Sequence, residues 1–197
     1  MPKREQIVPI ILAAGNSGGL PFPKALAVFG NKTALQIAVG NCAQLGRPVV
    51  VLGSDAESIR SKVPRTANVV TNHSWWRGQL TSLRCALERI PRKSAFLIYP
   101  VDLPLLKRRT IRQLVRAFHS RKATEEIVMP RHKVDYGHPV IVSAAVRKEF
   151  FEAKTAREVI YHLPNRIRVV TVRTNSIFED FNTLESYRAC LRKFRRE

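Results

Sequence analysis

Short apolar blocks recur along the chain at Ile7 to Ala13, Pro48 to Leu52, Ala67 to Thr71, Ala95 to Pro100, Ile127 to Pro130, Val140 to Ser143 and Ile167 to Val172. Several are unbroken rather than alternating, which is the pattern of strands covered on both faces. Between them lie segments with helical spacing. Thr33 stands where it can cap a helix running to Leu45, and Asp55 opens a short one to Lys62. Leu80 to Arg89 and Leu105 to His119 are amphipathic, and further helices are predicted at Ala144 to Phe151, Ala156 to Leu163 and Leu184 to Phe194. Strands alternating with helices predict an α/β sandwich with a mostly parallel sheet, whose ligands sit at the carboxyl ends of the strands.

A length of 197 residues suits one domain, 1–197, and no linker, repeat or low-complexity run divides it. Met1 to Glu5 is a short polar start without the apolar core of a signal peptide, and no apolar run reaches membrane-spanning length. Cys42, Cys85 and Cys190 are odd in number and lack Cys-x-x-Cys spacing, so neither a disulfide framework nor a zinc site is suggested. A cytoplasmic protein without a membrane partner is expected.

The formal charge of +19 changes this picture by adding a strong positive field that concentrates phosphorylated molecules. Part of it is local, in Lys107, Arg108, Arg109, Arg112 and Arg116, and again in Arg188, Arg192, Lys193, Arg195 and Arg196. Such runs are ordinarily solvated helix faces. With no aromatic stacking platform or zinc-finger spacing, they argue against specific nucleic-acid binding.

Candidate chemistry falls at three strand exits. The first strand empties into Leu12-Ala13-Ala14-Gly15-Asn16-Ser17-Gly18-Gly19 and then Pro23-Lys24. Glycines there let backbone N–H groups approach an anion, and Lys24 adds a mobile charge. The spacing matches neither the Walker nor the dinucleotide fingerprint. Asp102, held between Pro100 and Pro104, is placed as a magnesium ligand, or as the N-cap of the segment from Leu105. Asn182 or Asp180 can supply a second oxygen, although Asp180 also reads as a cap for the last helix. In His73 to Leu83, Gln79 and Ser82 can hydrogen-bond a base or phosphate, while Trp75 and Trp76 read as core or lid. Gly137 would let backbone approach a substrate, and His138 reads as structural more readily than as a catalyst.

Taken together, these motifs resemble the MobA-like nucleotidyltransferases. The resemblance rests on Leu12 to Ser17 with Pro23-Lys24, Gly78 to Leu83, Asp102-Leu103-Pro104, Gly137-His138-Pro139-Val140 and Asn182 to Tyr187, in order and in register. The form Ala13-Ala14-Gly15 is similar to the molybdenum cofactor cytidylyltransferase branch. The resemblance implies a Rossmann-like three-layer α/β/α domain. It implies transfer of a nucleotidyl group, CMP from CTP, to a phosphorylated acceptor such as molybdopterin, with release of pyrophosphate and a molybdoenzyme as a further partner. Lys24 and Asp102 would be catalytic, Asp102 and Asn182 would hold Mg2+, residues 12–19 with Lys24, Gln79 and Ser82 would bind the nucleotide, and Gly137 and His138 the acceptor.

Three departures bear on activity. Gly19 stands where the family carries an arginine, with Arg77 as a candidate replacement; Leu103 replaces a Gln or Met, and Asn182 an Asp found in some members. A charge-assisted hydrogen bond of that kind contributes about 1.5–3 kcal/mol, so its loss would weaken nucleotide binding roughly ten- to a hundredfold. A sugar-phosphate acceptor and a catalytically weakened nucleotide- or cofactor-binding relative are the alternatives.

Overall fold

The structure, a computed structural model, describes residues 5–196; of the polar start, residues 1–4 lie outside the described residues. The strands are β1 (Ile7–Ala13), β2 (Val28–Phe29), β3 (Lys32–Thr33), β4 (Val49–Leu52), β5 (Asn68–Thr71), β6 (Ala95–Pro100), β7 (Ile127–His132), β8 (Asp135–Tyr136), β9 (Val140–Val142) and β10 (Ile167–Thr171). The helices are α1 (Ala34–Cys42), α2 (Ala56–Arg60), α3 (Gln79–Leu87), α4 (Arg108–His119), α5 (Glu149–Glu152), α6 (Ala156–Tyr161) and α7 (Leu184–Phe194). An eight-stranded sheet runs in the order β10-β7-β9-β6-β1-β4-β5, with β8 added to β7. β9 is antiparallel to both β6 and β7, and β8 is antiparallel to β7; the remaining pairs are parallel. The α/β class with a mostly parallel sheet is therefore as the alternation predicts.

Side chains on a strand alternate between faces, and β1 shows the consequence. Ile7, Ile11 and Ala13 join a core with Leu35, Val39, Ile111, Leu114 and Phe118 from α1 and α4. Val8, Ile10 and Leu12 join the opposite core with Leu83, Leu87, Phe150, Val159 and Ile160 from α3, α5 and α6. Every residue of β1 is buried, which is why its sequence is an unbroken apolar run. A third cluster centres on Phe29, whose ring meets Phe181, Tyr187 and Phe194 at 5.3–5.7 Å. It ties the β2–β3 hairpin to α7 and so brings the Asp180–Asn182 segment to the end of β1.

Several boundaries move. Thr33 does cap α1, through a reciprocal pair with Gln36, but the helix tightens into a single turn at Ala43–Leu45. The helix predicted from Leu105 starts at Arg108 instead. Leu105 and Leu106 are buried in different clusters, so the chain stays non-helical until both are seated. The segment 144–151 divides into a turn at Ala144–Val146 and the short α5. The hairpin β2–β3, turning at Gly30 with φ 62°, and the short β8 carry too few residues to show a period.

Candidate active site

At the carboxyl end of β1 the chain opens onto a cleft of about 390 Å3, lined by Leu12, Ala13, Ala14, Gly15, Asn16, Lys24, Gln79, Ser82 and Asp102. All are expected site residues. Ser17, Gly18 and Gly19 are not on its wall. They turn the loop toward the last helix: Gly19 forms a β-bridge with Thr183, and Gly18 adopts φ +62° with the Asn182 carbonyl 3.3 Å from where a Cβ would stand. Gly18 is thus the one loop glycine in the left-handed region, for Gly15 and Gly19 do not enter it. A Cβ on Gly15 would meet nothing within 4 Å, so protein packing does not demand glycine at that cleft position.

Lys24 begins a short turn after the extended Pro23. Its ammonium donates to Asp102 Oδ2 at 3.0 Å and, through a closer contact, to Asn182 Oδ1. Both ion-pair side chains are four-fifths buried, at 18% exposure each. Asn182 Nδ2 in turn donates to Asp180 Oδ2 at 3.1 Å. The three strand exits therefore converge, with Lys24 at the meeting point. Neither cap reading holds. Lys107 is the N-cap residue of α4 and Thr183, paired with Ser186, caps α7, leaving Asp102 and Asp180 directed at the site. Glu179 faces away, bonded to Lys193 and to Asn175 Nδ2.

The oxygens of Asp102 and Asn182 are hard donors of the kind magnesium takes, completed by water and substrate phosphate. Among the described residues no group of three or more His, Cys, Asp or Glu could hold a metal by itself, so a metal here would depend on ligand oxygens. The donor set fits a magnesium–phosphate site and not a self-sufficient protein cage.

Two features of the wall are less evident from the sequence. Asn72, 2% exposed, donates to Thr81 Oγ1 at 2.8 Å and Ser82 Oγ at 2.9 Å while accepting from Ser74 N at 2.9 Å. This fixes the β5–α3 connection and orients Ser82; the readable signal is an Asn two residues before Ser, an Asx turn. Gly53, after β4, allows Ala14 and Trp75 to close over it, and Ser54 N donates to Ala14 O at 3.0 Å. Trp75 and Trp76 both line the cleft, and Trp76 is 67% exposed. Arg77, the candidate replacement for the missing arginine, is exposed and off the cleft wall. Lys24 is the sole cationic residue among those lining it.

Beyond Asp102 lies a second recess of about 280 Å3, which shares Gln79, Pro100 and Asp102 with the first and adds Tyr136, Gly137, His138 and Asp180. Gly137 is required by the fold itself, because a Cβ there would stand 2.4 Å from the Ile177 carbonyl. The His138 ring is buried and its Nδ1 has no hydrogen-bond partner. Burial pushes its pKa below the usual 6.5, against the opposing pull of Asp102, the Ile98 carbonyl and Asp180.

A mostly parallel sheet with a glycine loop at the end of its first strand, and with lysine, aspartate and asparagine converging there, defines a Rossmann-like nucleotidyltransferase domain. The chain belongs to the MobA-like NTP transferase domain family, whose signature matches residues 9–167. Among solved structures it is similar to Rv0371c from Mycobacterium tuberculosis H37Rv, with 26% identity and a TM-score of 0.84 over 96% of this chain and 99% of that one. A structure of Rv0371c in complex with manganese matches at 24% identity and TM-score 0.79, covering 95% and 98%. The 4-diphosphocytidyl-2C-methyl-D-erythritol synthase of Anaerococcus prevotii shares the fold at 13% identity and TM-score 0.76, covering 97% and 96%. A search of curated proteins finds no match. Among the described residues no helix is long and apolar enough to cross a membrane.

Proposed function

We propose that the protein transfers CMP from CTP to a phosphorylated small-molecule acceptor and releases pyrophosphate. The observation that carries this is Lys24, bonded to Asp102 and Asn182 at the boundary where the two recesses share Gln79, Pro100 and Asp102. A nucleotide in the first recess and an acceptor in the second would meet there. The choice of CTP rests on the Ala13-Ala14-Gly15 form of the loop.

An oxygen of the acceptor phosphate attacks the α-phosphorus, the Pα–O–Pβ bond breaks, and pyrophosphate leaves. An acceptor that is already an anion needs no general base, so Asp102 has no proton to transfer in this step. The protein's contribution is positioning and electrostatics. Asp102 and Asn182 would hold Mg2+, which when bound neutralises phosphate charge. An ammonium and a dication would compete for the same oxygens, so with Asp102 and Asn182 holding a metal the Lys24 ammonium would be free to bind phosphate oxygens. Pyrophosphate release from CTP and Mg2+ across a panel of phosphorylated acceptors tests the reading. Lys24→Ala should lower turnover on the order of a hundredfold. An unchanged rate in that variant would remove Lys24 from the mechanism.

A further inference from the structure

We infer that Trp76 stacks on the base of the bound nucleotide, and that this stacking supplies affinity the loop cannot draw from the triphosphate. The inference rests on the nucleotidyl-transfer reading and names the residue that holds the base in the same cleft. Lys24 is the sole cationic residue on the cleft wall, and Gly19 offers no side chain at the position of the family arginine. The triphosphate therefore meets one side-chain cation. The strand order also gives the cleft two sides. Asp102 follows β6, on one side of β1, whereas Trp75 packs beside Ala14 against Gly53, at the exit of β4 on the other side. Leu12, Ala14, Ile59 and both tryptophans supply apolar lining, while Gln79 and Ser82 line the same cleft with hydrogen-bonding groups.

At 67% exposure Trp76 is the most open aromatic side chain among the described residues. A single exposed ring needs no explanation by itself. This one is presented by a built turn at the cleft. Arg77 N donates to Ser74 O at 3.0 Å, Gly78 N donates to Trp75 O at 3.1 Å, and Ser74 N is held by Asn72 Oδ1 at 2.9 Å. Gly78 then adopts φ 102°, where a side chain would be strained although a Cβ would meet nothing within 4 Å. Glycine is therefore demanded by the direction of the chain, which projects the turn before α3 begins at Gln79. Trp75 is half-buried against the core beneath α3, and the Trp76 ring stands edge-on to it at 6.1 Å and 86°. Among the described residues Trp75 is the one aromatic or cationic group against that ring, so Trp76 keeps an open face. Every nucleobase has a π-face, so a stacking ring adds affinity without choosing among bases. Choice then falls to Gln79 and Ser82, whose amide and hydroxyl can pair with a base edge.

The test is titration of CTP and of inorganic tripolyphosphate, each with Mg2+, into the full chain and its Trp76→Ala and Trp76→Phe variants, followed by calorimetry and by tryptophan emission. In the wild type CTP should bind at least about tenfold tighter than tripolyphosphate. Trp76→Ala should weaken CTP roughly ten- to a hundredfold and close most of that gap. Its melting temperature should match the wild type, because the ring is largely open to solvent. Trp76→Phe should keep CTP affinity within about fivefold of the wild type and lose the larger part of the emission change that CTP causes. Tripolyphosphate binding as tightly as CTP, unaltered CTP affinity in Trp76→Ala, or an emission change undiminished in Trp76→Phe each overturns the inference. CTP binding by the wild type alongside any of these leaves the nucleotide reading standing. A wild-type protein that binds no CTP overturns that reading and the inference with it.

Discussion

Replacing Gly53 with alanine tests the packing on which the nucleotide loop depends. The added Cβ would stand 2.4 Å from the Ala14 carbonyl oxygen, 2.7 Å from Trp75 Cβ and 2.8 Å from Ala14 Cβ. Comfortable separations between such atoms are about 3.5–4.0 Å, so the loop must withdraw by roughly 1 Å. None of these atoms can swing away by changing rotamer, because they belong to backbone or sit directly on it. Overpacking of this kind costs about 1–3 kcal/mol. At about 2–4 °C per kcal/mol for a chain of this size, Gly53→Ala should lower the melting temperature by roughly 2–12 °C. A shift of about 1 Å in the loop that lines the cleft should also weaken CTP binding, and a misplacement of that size can cost up to about a hundredfold in turnover. Gly40→Ala is the matched control. Gly40 lies inside α1 and its Cβ would find only an Arg108 side-chain nitrogen at 3.9 Å, so alanine should stabilise by about 0.5–1 kcal/mol. Differential scanning calorimetry and CTP titration of the two variants provide the comparison. A Gly53→Ala protein with wild-type melting temperature and CTP affinity would refute the reasoning.

Thr33→Ala removes the hydroxyl that accepts from Gln36 N at 3.2 Å and should cost about 1 kcal/mol in urea unfolding, with the denaturant slope unchanged. Asn72→Ala strands the partners of a buried amide and should cost about 1–3 kcal/mol, with a parallel loss of CTP affinity through Ser82. His138 has a folded-state pKa below its unfolded value of 6.5, because burial disfavours its charged form. Its contribution to stability is therefore fully present above pH 6.5 and is lost as pH falls through the folded value. Urea midpoints compared between pH 7.5 and pH 5.5 should fall further for the wild type than for His138→Gln, and an equal fall would remove this linkage.

The unbroken apolar runs made the central strands readable, since burial on both faces leaves no polar position. In β6 the predicted and observed limits coincide, as they do for α7. Where two neighbouring apolar residues serve different cores, local periodicity misleads, and Leu105–Leu106 displaced the start of α4 for that reason. The meeting of Lys24 with Asp102 and Asn182 was readable only as three separate strand exits. What joins them is the Phe29 cluster, a set of long-range contacts with no local period. The demand for glycine at Gly53 and Gly137 comes from the backbones of Ala14 and Ile177, which are far away in sequence. The contact between the Tyr136 and Tyr161 rings likewise forms only when β8 and α6 are brought together.

The central claim is that Asp102 and Lys24 organise a metal–nucleotide site. Its most direct test is calorimetric titration of CTP, GTP and ATP with Mg2+ into the wild type and Asp102→Ala, at moderate salt to screen nonspecific attraction to the basic surface. Selective, magnesium-dependent CTP binding that disappears in Asp102→Ala is the predicted result. Failure of every triphosphate to bind, or equal binding that ignores the substitution, would contradict the account.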